Sequence, residues 1–150
     1  MSDLSDEIRR RVEAAKEFDK QQREEKRRQA SEQADLQEQR KSRAGELNND
    51  IGRKLREAAG ASEGAMRYVP AGGVGITHHI LQWQSPRPER NLEILVDYFN
   101  GVIERGWNIA GQGRDSKKAD ALEFDVAQLD ALILMLTNQA AWSQGIPKRP

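Results

Sequence analysis

The strongest indication of the fold is the stretch FDVAQLDALILMLTNQAAWSQG, residues 124–145. Asp125 can cap a helix N-terminus, and Gln128 three residues later completes the pattern of a capping box. Phe124 and Leu129 flank this cap as a hydrophobic staple, and Gly145 marks a natural helix end. Apolar residues recur with the helical period at Val126, Leu129, Leu132, Ile133, Leu136 and Ala140. The segment therefore predicts a helix with one buried face.

The residues before this helix predict a small sheet. Residues 66–69 and 76–84 have the composition of two strands separated by a Pro-Gly turn. Residues 107–110 and 121–124 also look extended. Between these two pairs, six apolar residues match the helical period: Leu92, Leu95, Val96, Phe99, Val102 and Ile103. We expect a helix there, which gives an α+β domain of order β-β-α-β-β-α; the alternative is a hairpin that turns at Asn100-Gly101.

Residues 1–60 predict a long charged helix. Glu, Gln, Lys, Arg and Ala dominate this segment, and no proline interrupts it. Acid–base pairs such as Asp19 and Arg23 lie four residues apart in the favourable order. Ser5 is a candidate N-terminal cap, and Gly45 is a candidate break between two helices.

The apolar residues of this predicted helix form two patches, at residues 4–18 and 44–58, and residues 19–29 contain none. Two interpretations fit this pattern. The segment is either a solvated single helix, or a helix that docks on a partner or forms a coiled coil. Under the second interpretation the partner-binding residues are Leu4, Ile8, Val12, Phe18, Leu47, Ile51 and Leu55.

Composition divides the chain near residue 60. All three tryptophans, Trp83, Trp107 and Trp142, follow the short stretch of small and polar residues at Gly60–Gly64, which is typical of a boundary. We therefore expect a helical arm at residues 1–60 and a small domain at residues 61–150 that folds without the arm.

Positive and negative charges are balanced along the chain. The chain has 24 basic and 24 acidic residues, and residues 1–60 contain 15 and 14 of them. This balance argues against the sustained positive field that drives nonspecific binding to nucleic acids or anionic membranes. The best candidate for an anion or nucleic-acid contact is a predicted mobile loop at residues 111–120. This loop carries Arg114, Lys117 and Lys118 but lacks the P-loop pattern.

Residue types that bind metals or act as nucleophiles are scarce. The chain has no cysteine and only two histidines. His78 and His79 are adjacent, so in a strand they point to opposite faces and cannot easily bind one metal ion. No serine lies in the glycine-flanked context of a catalytic nucleophile. We expect no metal, no cofactor and no enzymatic activity.

The sequence contains no indication of a membrane segment. The longest run of large apolar residues, Leu132–Leu136, is far shorter than the roughly 20 residues of a membrane-spanning helix. The acidic N-terminus does not resemble a signal peptide. A cytoplasmic location is the expectation by default.

These patterns identify no known family and favour a non-enzymatic role. The leading hypothesis is an adaptor or structural protein that docks through its N-terminal helix. Its partner is another protein or further copies of itself, in a multiprotein complex such as a virion. The alternative is a nucleic-acid-binding accessory protein that uses basic helix turns together with Arg114, Lys117 and Lys118. Salt-dependent retention on DNA or RNA separates the two, because phosphate contacts weaken steeply with salt.

Overall fold

The computed structural model describes residues 2–109 and 113–147. One long helix, five strands and two short helices follow one another along the chain. Their bounds are α1 Ser2–Ala61, β1 Met66–Gly73, β2 Ile76–Trp83, β3 Arg90–Asp97, β4 Val102–Ile109, β5 Gly113–Asp120, α2 Ala127–Leu136 and α3 Gln139–Ser143. The fold is therefore mixed α and β, as expected. Within the described ranges, every helix is too short or too polar to cross a lipid bilayer.

Helix α1 is uninterrupted, so the break predicted near Gly45 is wrong. Its side chains form ion pairs one turn apart, for example between Arg11 and Glu7 at 3.1 Å and between Arg23 and Asp19 at 3.0 Å. Such a pair stabilises a helix by only about 0.2–0.5 kcal/mol. Most of the local stability therefore comes from the many strong helix formers in this segment.

The chain divides into two compact units, residues 1–37 and residues 38–150. The second part of α1 thus belongs to the unit that contains the sheet. Its apolar residues have no exposed surface and lie in the core of that unit: Ala44, Leu47, Ile51 and Leu55. This division lies between residues 37 and 38, whereas the change in composition predicted a boundary near residue 60.

The five strands form one antiparallel sheet in chain order, from β1 to β5. Leu92 is the Cα partner of Leu81 in β2 and of Trp107 in β4, which fixes the register at the centre of the sheet. Because strand side chains alternate between the faces, one face packs against α2 and the second part of α1. The buried residues of that face include Leu81, Leu92, Ile94, Val96, Ile103 and Trp107.

The helix predicted over residues 92–103 is wrong, and the alternative hairpin is present. Strands β3 and β4 are joined by a turn in which the carboxylate of Asp97 accepts a hydrogen bond from the backbone N–H of Asn100 at 3.1 Å. Gly101 has a φ of 63°, and a Cβ there would lie 2.4 Å from the Cβ of Arg40 on α1. The pattern was ambiguous because a hairpin with apolar residues on both faces also supplies apolar pairs at helical spacing.

The polar segment after β4 was also misassigned. Residues 113–120 form β5, paired along its length with β4, and not a loop; residues 110–112 lie outside the described ranges. The strand predicted at residues 121–124 is a turn, in which the N–H of Phe124 donates to the carbonyl of Asp120 at 3.1 Å. Charged residues are common on edge strands, where they oppose pairing with another sheet. Polarity alone therefore did not exclude a strand.

The C-terminal helix is confirmed but is shorter than expected. Leu129, Leu132 and Leu136 are buried as the periodicity predicted. Helix α2 ends at Leu136, and α3 begins after Asn138, whose side chain accepts a hydrogen bond from a backbone N–H of α3 at 3.2 Å. The asparagine cap thus divides one predicted helix into two.

The predicted cap of α2 is present only in part. A carboxylate oxygen of Asp125 accepts a hydrogen bond from the N–H of Ala127 at 2.9 Å. The side chain of Gln128, however, accepts a hydrogen bond from the guanidinium of Arg105 on β4. The reciprocal bond of a capping box does not form, because Gln128 bonds to the sheet.

Candidate protein-interaction surface

The N-terminal stripe is a row of apolar residues on one side of α1: Leu4, Ile8, Val12, Ala15 and Phe18. Its large side chains are exposed, with fractional exposures of 71% for Leu4, 52% for Ile8, 46% for Val12 and 64% for Phe18. Arg11, which lies on the same side of the helix, is held by Glu7 one turn earlier. The stripe is thus an apolar surface with at least one paired charge beside it.

The other three predicted partner-binding residues lie elsewhere. Leu47, Ile51 and Leu55 are on α1 but have no exposed surface, and they pack in the core of residues 38–150. Their apolar spacing resembles that of the stripe, but in the structure only these three residues are buried. The structure assigns these three residues to the fold itself, so the candidate surface consists of the N-terminal stripe alone.

Of the three predicted anion-binding residues, the structure describes the side chains of Lys117 and Lys118. The side chain of Arg114 lies outside the described residues. Lys117 and Lys118 are exposed on β5, and their partners in β4 are Arg105 and Glu104 respectively. Because neighbouring strand residues point to opposite faces, the two lysines cannot converge on one phosphate from the same side of the sheet.

His79 is the centre of a polar cluster between the sheet and α1. It is only 3% exposed. Its Nδ1 lies 2.6 Å from the hydroxyl of Tyr68, and its Nε2 lies 2.5 Å from the side-chain oxygen of Asn48. Burial, with smaller effects of the charges of Arg56 and His78, lowers the pKa of His79 to about 4. The imidazole is therefore neutral at pH 7, with Nε2–H donating to Asn48 and the Tyr68 hydroxyl donating to Nδ1.

This cluster is structural in character. Both ring nitrogens of His79 already have hydrogen-bond partners within the chain, so neither has a free position for a metal ion or a substrate. Gly52 of α1 allows the close approach, since a Cβ there would lie 3.3 Å from the Tyr68 hydroxyl oxygen and 3.5 Å from the His79 ring. Among the described residues, no group of three His, Cys, Asp or Glu side chains is arranged to hold a metal ion.

Arg90 is a second buried polar residue, and it is only 1% exposed. Its guanidinium donates twice to the carbonyl of Leu136, at 3.0 and 2.8 Å, and so caps the C-terminus of α2. It also lies over the rings of Trp83 and Trp142, 4.5 and 5.1 Å from their centroids. The arginine thereby fixes one side of the Trp83 indole. Sequence reasoning missed this role of Arg90, because the contacts join residues far apart in the chain.

The Trp83 groove is an apolar depression of about 330 Å³ beside this tryptophan. Its apolar lining comes from four places: the end of α1, the start of β1, the end of β2 and the middle of α2. The lining residues are Ala58, Ala61, Ala65, Met66, Trp83 and Ile133. Two hydroxyl-bearing residues complete the lining, and no charged side chain takes part among the described residues. Sequence reasoning missed this groove because its residues come from four separate segments.

Comparison with protein-family models, curated proteins and solved structures found no match for this chain. The functional argument therefore depends on the surfaces described above.

Proposed function

We propose that this protein is a non-enzymatic interaction protein that binds another protein through the N-terminal stripe. The observation that carries the proposal is the exposure of four large apolar side chains, between 46% and 71%, on one side of the mostly polar first part of α1. Full burial of such a side chain is worth about 1.5–3 kcal/mol. Binding that covers the stripe therefore gains several kcal/mol that the isolated helix forgoes.

The spacing of the stripe fits the helix-in-groove mode of recognition. An amphipathic helix that binds in this way places apolar anchors three or four residues apart along one face. From Leu4 to Phe18 the stripe extends roughly 21 Å, at about 1.5 Å per residue. That is about two heptads, whereas a coiled coil needs at least three to four. A concave apolar site on the partner is therefore a better acceptor than a second straight helix.

The nucleic-acid alternative has weaker support. Several arginines of α1 are engaged by acids on the same helix, including Arg11 with Glu7 and Arg28 with Glu32, both at 3.1 Å. Lys117 and Lys118 point to opposite faces of the sheet. Phosphate binding needs several unneutralised cations on one surface, which this distribution does not favour.

The proposal is tested with a variant that replaces Ile8, Val12 and Phe18 with serine in the full chain. Its matched control replaces Arg10, Glu13 and Glu17 with serine, which lie on the opposite side of the same helical segment given about 100° per residue. Serine has a helix propensity close to that of Ile, Val and Phe but below that of Arg and Glu. The control should therefore lose at least as much helix content in circular dichroism as the stripe variant. We expect the stripe variant to lose partner capture and the control to retain it.

The measurement is affinity capture with each variant, identification of bound proteins by mass spectrometry, and titration of a purified candidate. Retention of every captured protein by the stripe variant would contradict the proposal. Capture that depends on the control residues and disappears steeply with salt would instead support nucleic-acid or purely electrostatic binding.

A further inference from the structure

We propose that the unit of residues 38–150 binds a carboxylate group, with the guanidinium of Arg40 as the main contact. The site is a surface cavity of about 330 Å³ at which α1 meets the turn between β3 and β4 and the end of β5. Gly101, Lys118 and Asp120 are among its other lining residues. This Arg40 cavity shares no residue with the N-terminal stripe, so the inference is independent of the proposed function.

The walls of the Arg40 cavity are held by backbone contacts. A Cβ at Gly101 would lie 2.4 Å from the Cβ of Arg40 and 3.0 Å from its carbonyl carbon, so the turn lies directly on α1. The carbonyl of Gly101 accepts a hydrogen bond from the N–H of Ala121 at 2.8 Å. The carboxylate of Asp97 accepts one from the N–H of Asn100 at 3.1 Å. The cavity is therefore formed before any ligand binds.

Asp120 holds the guanidinium of Arg40 by one edge. Its Oδ2 accepts a hydrogen bond from Nε–H of Arg40 at 2.7 Å, and its Oδ1 accepts one from the N–H of Leu122 at 2.9 Å. The bond from Leu122, and after it the bond from Arg40, lowers the pKa of Asp120 below its ordinary value. The aspartate is thus ionised at pH 7, and it positions Arg40.

The opposite edge of the same guanidinium has donors available for a ligand. Arginine has N–H donors in a rigid planar fork, and the bond to Asp120 uses only Nε–H. Within the described part of the chain, Nη1 and Nη2 of Arg40 have no hydrogen-bond acceptor. The side chain is 30% exposed, so a ligand can reach it. Two parallel N–H groups on one edge match the two oxygens of a carboxylate.

The charge of the lining favours a singly charged ligand. Two cations, Arg40 and Lys118, and one anion, Asp120, leave one positive charge to be balanced. A carboxylate balances it, whereas a phosphate group carries about −1.5 to −2 at pH 7 and leaves an excess of negative charge.

Lys118 has a smaller part in the site than Arg40, because it also interacts with Asp97. Burial raises the pKa of Asp97, but hydrogen bonds within the turn and the charge of Lys118 outweigh this effect and lower the pKa. The same interaction indicates that the ammonium group lies near the turn that lines the cavity. Lys118 therefore adds positive charge there, and Arg40 supplies the directional hydrogen bonds.

The test is a titration of the isotope-labelled full chain with sodium acetate, followed by NMR, with sodium chloride keeping the ionic strength constant. We expect a saturable shift of the Nε–H signal of Arg40 and of the turn amides at residues 100–102, with a dissociation constant in the millimolar range. Two blocked compounds then distinguish the sources of the carboxylate. N-acetylglycine represents a peptide C-terminus, and the α-amide of N-acetylglutamate represents a glutamate side chain.

Three variants assign the binding to named groups. Arg40→Lys keeps the charge and the side-chain stem against Gly101 but loses the planar fork, so it should weaken acetate binding about tenfold. Lys118→Gln leaves the pair between Arg40 and Asp120 intact and should weaken binding about two- to fivefold. The matched control is Lys117→Gln, on the neighbouring residue that points to the other face of the sheet. It should leave the affinity unchanged, and the spectra show whether each variant is folded.

An equal shift with sodium chloride alone, or an unchanged affinity in both R40K and K118Q, overturns the inference. An effect of K117Q as large as that of K118Q would do the same, because it would assign the binding to general charge attraction. Inorganic phosphate that binds more than about tenfold more tightly than acetate would overturn the choice of a carboxylate.

Discussion

Removal of residues 1–37 should leave a folded protein, whereas removal of residues 1–61 should not. The first cut falls at the division between the two compact units. The second cut removes Leu47, Ile51 and Leu55, all with no exposed surface. At about 1.5–3 kcal/mol for each buried side chain, their loss amounts to roughly 5–9 kcal/mol. It also removes the bond between Asn48 and His79.

This loss is comparable to the whole stability of a small domain, about 5–15 kcal/mol. Far-ultraviolet circular dichroism and thermal melting of fragments 38–150 and 62–150 provide the test. We expect fragment 38–150 to melt cooperatively at a temperature close to that of the full chain. Fragment 62–150 should show no cooperative transition. A cooperative melt of fragment 62–150 would refute the assignment of the second part of α1 to the core.

Point variants separate this packing from any general effect of shortening α1. Leu47→Ala should cost about 2–5 kcal/mol, as a large-to-small change at a fully buried site. Leu36→Ala is the control on the same helix, because Leu36 is 38% exposed and should change stability by less than about 0.5 kcal/mol. Equal effects in urea melts would contradict the division at residues 37 and 38.

Three further predictions concern the unit that contains the sheet. In urea melts, Leu132→Ala should cost about 2–5 kcal/mol and Asp125→Ala only about 0.5–2 kcal/mol; the reverse ranking would contradict the packing of α2. Arg90→Ala should cost at least about 1.5–3 kcal/mol, because the buried carbonyl of Leu136 loses a charged donor. Lysine should restore only part of this loss, since it lacks the planar fork of arginine. Because the pKa of His79 falls from about 6.5 in the unfolded chain to about 4 in the folded protein, stability should decline as pH falls from 6.5 to 4, by at most about 3 kcal/mol before solvent screening. Thermal melts across this range should show a shallower decline for His79→Gln, and an unchanged decline would assign the effect to other groups.

The sequence predicted a helix correctly where the apolar residues followed the helical period and the other residues were strong helix formers. The helix formers and the lack of proline predicted α1, and the buried leucines of α2 were recognised from their spacing. The region of β3 and β4 was not resolved, because Leu92 and Val96 fit a helical face as well as alternate positions of a strand. Only the register, in which Leu92 lies opposite both Leu81 and Trp107, distinguishes the two.

Long-range contacts account for the features that sequence reasoning missed. Arg90 looks like any surface cation in the sequence, yet it caps a helix 46 residues later in the chain. The Trp83 groove likewise combines the end of α1 with Ile133 of α2. Such sites depend on which faces meet, and propensity and local period carry no information about that.

Helix α1 offers its own comparison between a covered and an exposed stripe. Leu47, Ile51 and Leu55 recur every four residues and are fully buried against the sheet. Leu4, Ile8 and Val12 recur with the same period and similar side chains, yet they are 71%, 52% and 46% exposed. Burial of an apolar side chain contributes a similar free energy in both sets. The hydrophobic effect that packs residues 47–55 against the sheet would therefore also favour burial of the N-terminal stripe. Under the proposed function, an acceptor surface outside the helix supplies the cover that residues 4–18 lack within their own segment.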